Sequence, residues 1–175
     1  MRLVEKSSDG LPRFREPQRR RNIDLTFNVQ RSTFNVQVPQ FELRRTFVIS
    51  TSRFGVGQRA GSNQTPLGLH RVARKIGGGQ PIGAVFRNRK MIGFSWQGLA
   101  AASIVHRILW LEGLEPGYNR GDGVDTFQRY IYIHGFGDES TLGRPASHGC
   151  IHMAAKDLIP LFDFLPEGTL VWIGE

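Results

Sequence analysis

The sequence is short of several things, and each shortage closes off a class of function. It holds a single cysteine, Cys150. A lone cysteine forms no internal disulfide and falls short of the paired cysteines that structural zinc sites favour. Cys150 is then either inert core filler or a nucleophile served by a histidine. No apolar run approaches the ~20 residues that cross a bilayer as a helix, so no membrane span is expected. The opening Met1-Arg2-Leu3-Val4-Glu5-Lys6 lacks the apolar core of a secretory signal. Read literally, the chain is expected to stay in the cytoplasm, where a reduced thiol is normal. Acidic residues are also scarce, 15 Asp and Glu against 23 Lys and Arg, for a net charge of +8. Part of that excess sits in Arg13, Arg15, Arg19, Arg20 and Arg21, in a polar, proline-containing stretch read as a mobile arm over residues 1–21. Such an arm could touch an anionic polymer, although a solvated charged tail is the preferred reading. No aromatics are interleaved with a basic face, so nucleic acid is not expected as a partner.

What remains is ordinary globular composition, 39% hydrophobic and 22% charged, sized for one domain over residues 22–175. Strand signals dominate. Ile23, Leu25, Phe27 and Val29 alternate with polar residues, and Phe34, Val36 and Val38 repeat the pattern after a turn. The pieces 26–30 and 33–37 are identical, TFNVQ, but two copies make paired strands rather than a repeat protein. Arg45 to Ser50 reads as a third strand. Ser52 to Gly83, rich in glycine and polar residues, is assigned to loops with short strands. Its Gly77-Gly78-Gly79 is read as a turn, since no Lys-Ser/Thr pair follows as a phosphate loop requires. Leu99 to Leu111 has no decisive period, and Glu112 to Asp125 reads as a glycine-rich loop suited to a cleft wall. Trp96 and Trp110 either line a cleft or pack in the core. Leu158, Leu161, Phe162 and Leu165 recur at helical spacing, and Pro160 is tolerated only in a first turn, so a short helix is expected from near Asp157. A closing strand follows at Leu170 to Ile173. The fold class is mainly β: two packed mixed or antiparallel sheets, sandwich-like, with few short helices.

Chemistry concentrates between Tyr130 and Met153, which hold Cys150 and three of the five histidines. The alternating Tyr130-Ile131-Tyr132-Ile133 reads as a strand that presents His134 at its end. Ser147-His148-Gly149-Cys150 is too polar and flexible for a core strand, and glycine there permits a sharp turn and close approach of a substrate. Consecutive N–H groups beside such a turn can point at a developing oxyanion. A rival reading is a metal site, since His148, Cys150 and His152 alternate and His134 could be a fourth ligand. The turn and the lone cysteine argue against it, and neither metal nor cofactor is expected. A second rival is a non-catalytic binding module, which would have no need of the nucleophile. His70 and His106 are assigned to the scaffold.

The histidine-glycine pair followed, about a dozen residues on, by Ser-His-Gly-Cys resembles the signature of the L,D-transpeptidase (YkuD) catalytic domain. Thr65-Pro66-Leu67-Gly68-Leu69-His70, Lys75-Ile76-Gly77-Gly78-Gly79, Pro81-Ile82-Gly83, Ile108 to Leu111 and Gly113 to Gly117 resemble further stretches of that family. The resemblance covers about Ile23 to Ile173 and favours a strand for Arg107 to Leu111. It implies that Cys150 attacks the meso-diaminopimelate–D-alanine bond of a peptidoglycan tetrapeptide stem and forms a thioester. His134 is implied as base, oriented by the Gly135 carbonyl, with the N–H groups of His148, Gly149 and Cys150 as oxyanion donors. An amine acceptor gives a cross-link; water gives an L,D-carboxypeptidase that trims muropeptides. Acylation by a carbapenem and a place in the cell envelope are implied too. Substrate contacts are expected from Ser147, His152, Arg144 and Trp110. Members commonly carry Arg or Asn where this chain has His152. An arginine would hold a carboxylate at any pH, a histidine only when protonated.

Overall fold

The structure is a computed structural model describing residues 24–28, 45–100 and 103–174. The basic arm, the second TFNVQ piece and its turn lie outside the described residues. Strands are β1 Asp24–Asn28, β2 Ile49–Ser50, β3 Gly68–Ile76, β4 Ala84–Arg87, β5 Lys90–Phe94, β6 Val105–Gly113, β7 Tyr132–Gly135, β8 Ile151–Met153 and β9 Leu170–Gly174. The α-helix, α1, spans Ala155–Phe164, and two short 3₁₀ turns cover Ser95–Gln97 and Glu139–Thr141. The mainly β class expected from the sequence holds, as one continuous mixed sheet in the order β1-β9-β3-β6-β7-β8-β2, with β4 bridging β5 and β6. All pairings are antiparallel except β7 with β8.

That parallel pair sets up the site. A parallel neighbour needs a long crossover, which the Phe136–Cys150 connection provides. Ile133 lies opposite Ile151 and His134 opposite His152. Side chains alternate across a sheet. Ile133, Ile151 and Met153 therefore enter the larger core with Val72, Leu109, Leu111, Leu158 and Phe162. Tyr132, His134, Cys150 and His152 share the opposite face, where Cys150 packs against Ala84, Phe86, Ile108 and Tyr132. A one-residue slip of β8 would exchange these faces.

Several boundaries differ from the sequence reading. β7 starts at Tyr132, because Tyr130 is in a left-handed conformation (φ 57°) that turns the chain before the strand. Arg45 to Val48 is irregular, and only Ile49–Ser50 pairs, with β8. The region assigned to loops contains β3, nine residues long. Its inward positions include Gly68 and His70, which hide the apolar alternation, and a bulge between Val72 and Arg74 shifts its register. The Gly77–Gly79 stretch is a turn, as expected. Helix α1 starts two residues before Asp157, with Pro160 inside it. Proline there removes one backbone donor, but Pro160 and Lys156, whose carbonyl loses its partner, are both exposed. Leu158, Leu161 and Phe162 seat the helix on the core face of the sheet.

Candidate active site

Cys150 stands one residue ahead of β8, so the register brings it level with Tyr132 and two positions from His134 on the same face. Its S–H donates to the Tyr130 carbonyl at 3.5 Å, and the Tyr132 N–H is directed at the sulfur. The residue is half-buried and packs against Ala84, Phe86, Ile108 and Tyr132. Burial pushes the thiol up to about 11, against the opposing pull of the Tyr132 N–H and the Arg129 charge.

His134 is buried on β7, and its Nδ1 lies 2.7 Å from the Gly135 carbonyl. A carbonyl only accepts, so Nδ1 carries the proton and Nε2 keeps its lone pair. Burial first, then the neighbouring His152, lowers this imidazole to about 3, with the Gly135 contact opposing. Both shifts run against a thiolate–imidazolium pair. Both favour a thiol beside a neutral imidazole at neutral pH. Gly135 must be glycine, because a Cβ would collide with the His106 ring and reach 2.7 Å from the Val105 carbonyl.

The turn before the cysteine is tied internally. Ser147 is buried; its Oγ donates to the Cys150 carbonyl at 2.5 Å and accepts the Gly149 N–H at 3.2 Å. Thr65 Oγ1 donates to the Gly149 carbonyl at 3.1 Å. Gly149 has φ 121°, and a Cβ there would lie 3.1 Å from Ile131 Cδ1, so the position requires glycine. The Ser147 hydroxyl is thus engaged within the turn, and of the three N–H groups expected at the oxyanion, that of Gly149 is engaged by it.

The remaining predicted residues scatter around this centre. His148 is exposed, against the Arg53 guanidinium and 5.5 Å from the Phe54 ring. His152 is buried, stacked on Phe136 at 4.5 Å and edge-on to His134 at 4.8 Å, with its Nδ1 unpartnered. Burial lowers it to about 4, which disfavours the protonated form that a carboxylate contact requires, and its ring packs beneath the connection on Phe136. Arg144 is exposed and donates to the Ser140 carbonyl at 3.0 Å. Trp110 stacks on Phe127 at 4.0 Å and meets Tyr132 edge-on at 5.5 Å, lining the site face. Trp96 is exposed and stacks on Phe94. His70 and His106 are scaffold: His70 bridges the Gly68 carbonyl and Thr126, and His106 accepts the Gly83 N–H. Among the described residues, no three His, Cys, Asp or Glu side chains are placed to hold a metal ion.

Two arginines escaped the sequence reading. Arg129 donates to the Gly57, Gln58 and Gln64 carbonyls and sets a positive charge beside Cys150. It also lines a cavity of about 280 Å³ with Asn63, Gly123, Asp125, Ile131 and His148. Arg89 reaches the site from the β4–β5 turn. No periodicity marks either residue.

Residues 25–173 match the model of the YkuD family, the L,D-transpeptidase catalytic domain. The chain belongs to that family. A 48-residue segment is 38% identical to a protein described as putative L,D-transpeptidase YkuD of Bacillus subtilis (strain 168), over 27% of this chain and 29% of that relative. The aligned part is less than a third of the relative's length. Within this L,D-transpeptidase-family domain, the matched region takes in all of β2 to β8 and the whole Cys150–His134 centre. No helix among the described residues is long and apolar enough to cross a membrane.

Proposed function

We propose that the domain is a cysteine acyltransferase acting on peptidoglycan stem peptides. The observation that carries this reading is the tautomer lock: Nδ1–H of His134 is held by the Gly135 carbonyl, which reserves Nε2 as a base on the face that bears Cys150. The resting pair is neutral, so the proton moves as the bond forms. Cys150 Sγ attacks the carbonyl between meso-diaminopimelate and D-alanine while its S–H proton passes to His134 Nε2. The oxyanion is held by the His148 and Cys150 N–H groups, each worth about 3 kcal/mol when well aimed. The C–N bond then breaks, the amine of D-alanine leaves with the proton from His134, and a thioester remains on Cys150. An acceptor amine attacks that thioester, gives its proton to His134 and releases the thiol.

The Arg129-lined cavity supports an amine acceptor, since it offers room beside the turn for a second peptide arm. Water is the alternative acceptor, giving an L,D-carboxypeptidase that yields tripeptide. A disaccharide-tetrapeptide assay resolved by mass spectrometry tests both. Cross-linked dimer with loss of D-alanine supports the transferase; tripeptide alone supports trimming; no D-alanine release refutes the assignment. A carbapenem adduct on Cys150 is expected in either case. Cross-linking would belong to the cell envelope and trimming to the cytoplasm, so fractionation of the native protein gives a second test.

A further inference from the structure

We infer that Arg89 is the anion-binding residue of the cleft, selecting an acyl donor that carries a free carboxylate next to the attacked carbonyl. The inference rests on the acyl-transfer reading and adds what the donor must bring. Asn88 and Arg89 form the tip of the β4–β5 hairpin, both with positive φ (50° and 65°), the backbone of a tight two-residue turn. The hairpin is anchored on the site face, where Ala84 and Phe86 pack with Ile108 and Tyr132. Its tip lays the Arg89 guanidinium over the Tyr130 ring at 4.7 Å and the Trp110 ring at 5.1 Å, with Nη1 3.4 Å from the Tyr132 hydroxyl. The Tyr130 carbonyl accepts the Cys150 S–H, and Cys150 packs against the cluster that contains Tyr132, so the cation and the sulfur meet the same two tyrosines.

The basic residues that the sequence offered, and Arg129, make contacts of their own. His152 is buried and neutral, Arg144 is engaged with Ser140, and Arg129 is bound to three carbonyls. Among the described residues Arg89 has no carboxylate partner. With Nη1 donating to the Tyr132 hydroxyl, its Nε and Nη2 are left to pair with a carboxylate.

The test uses the single thiol. Cys150 is alkylated with iodoacetate, an anion, and with iodoacetamide, its neutral counterpart, and the ratio of the two rates is compared between wild type, Arg89→Gln and Arg89→Lys. The expected result is a fall of about three- to tenfold in the ratio for Arg89→Gln at low salt, with most of it restored in Arg89→Lys. A ratio unchanged in Arg89→Gln, or lowered equally in both variants, overturns the proposal. A tetrapeptide donor and its carboxamide analogue form the second arm. If wild type turns over the carboxylate donor, Arg89→Gln should raise its KM and leave that of the carboxamide donor in place; equal effects on both would also overturn the proposal. Turnover of neither peptide, with the alkylation ratio still falling, would keep the anion site and refute the peptidoglycan reading alone.

Discussion

The neutral resting state of Cys150 and His134 makes a quantitative demand on thiol reactivity. An unfolded cysteine with a pKa of ~8.5 is about one-tenth thiolate at pH 7.5. Burial raises Cys150 to about 11. That places its thiolate fraction at pH 7.5 on the order of a hundredfold or more below the unfolded chain. The perturbation is pH, and the assay is alkylation by iodoacetamide followed by intact mass, with the urea-unfolded protein as reference. Limited access to the sulfur would slow labelling by a constant factor at every pH. Ionisation instead sets the slope. The rate should therefore climb about tenfold per pH unit through pH 9 and beyond, where the unfolded reference has already levelled off. A fast plateau reached near neutrality would show a preformed thiolate–imidazolium pair and refute the reasoning.

Three other outcomes follow from the same geometry. His134→Gln keeps a group that can reach the Gly135 carbonyl but offers no base, so kcat/KM on a stem peptide should fall by about 10²–10⁴ with folding intact by circular dichroism. Gly149→Ala forces a side chain into φ 121° beside Ile131; strain of ~1–3 kcal/mol should lower Tm by several degrees in a melting scan and weaken turnover by re-aiming the Cys150 N–H. Acid should destabilise the fold earlier than carboxylate protonation alone would. His70, His134 and His152 are held near 4, 3 and 4 by burial, below the unfolded 6.5, so the stability they contribute is full above pH 6.5 and is lost as pH falls toward 3–4. Urea titrations should show about 2 kcal/mol lost per histidine between pH 7 and 5, and equal stability at the two would contradict this.

The sequence carried the outline of the site better than its walls. That Cys150, His134 and Gly135 come together was legible because a cysteine, a histidine and two glycines sit in one short stretch. The strands that alternate in a single phase, β1, β7 and β9, were legible for the same local reason, as was α1 from its apolar spacing. β3 was not, since Gly68 and His70 fill positions where an apolar side chain would have announced the inward face. The parallel pairing of β7 and β8 depends on a crossover that no local pattern records, and that pairing puts Cys150 and His134 on one face. Ser147 looked available to a substrate because the wrapping of its hydroxyl around the Cys150 carbonyl and Gly149 N–H is a property of the turn. Arg89 and Arg129 come from a hairpin tip and a loop remote from the motif, where only the fold makes them neighbours of the thiol.

The most direct test of acyl transfer through Cys150 is intact-protein mass spectrometry of wild type and Cys150→Ala mixed with a disaccharide-tetrapeptide ending in D-alanine. The account predicts a covalent adduct of the donor less D-alanine on wild type, free D-alanine in solution, and neither with Cys150→Ala. D-alanine released equally by Cys150→Ala, or no adduct and no release from reduced wild type, would contradict it.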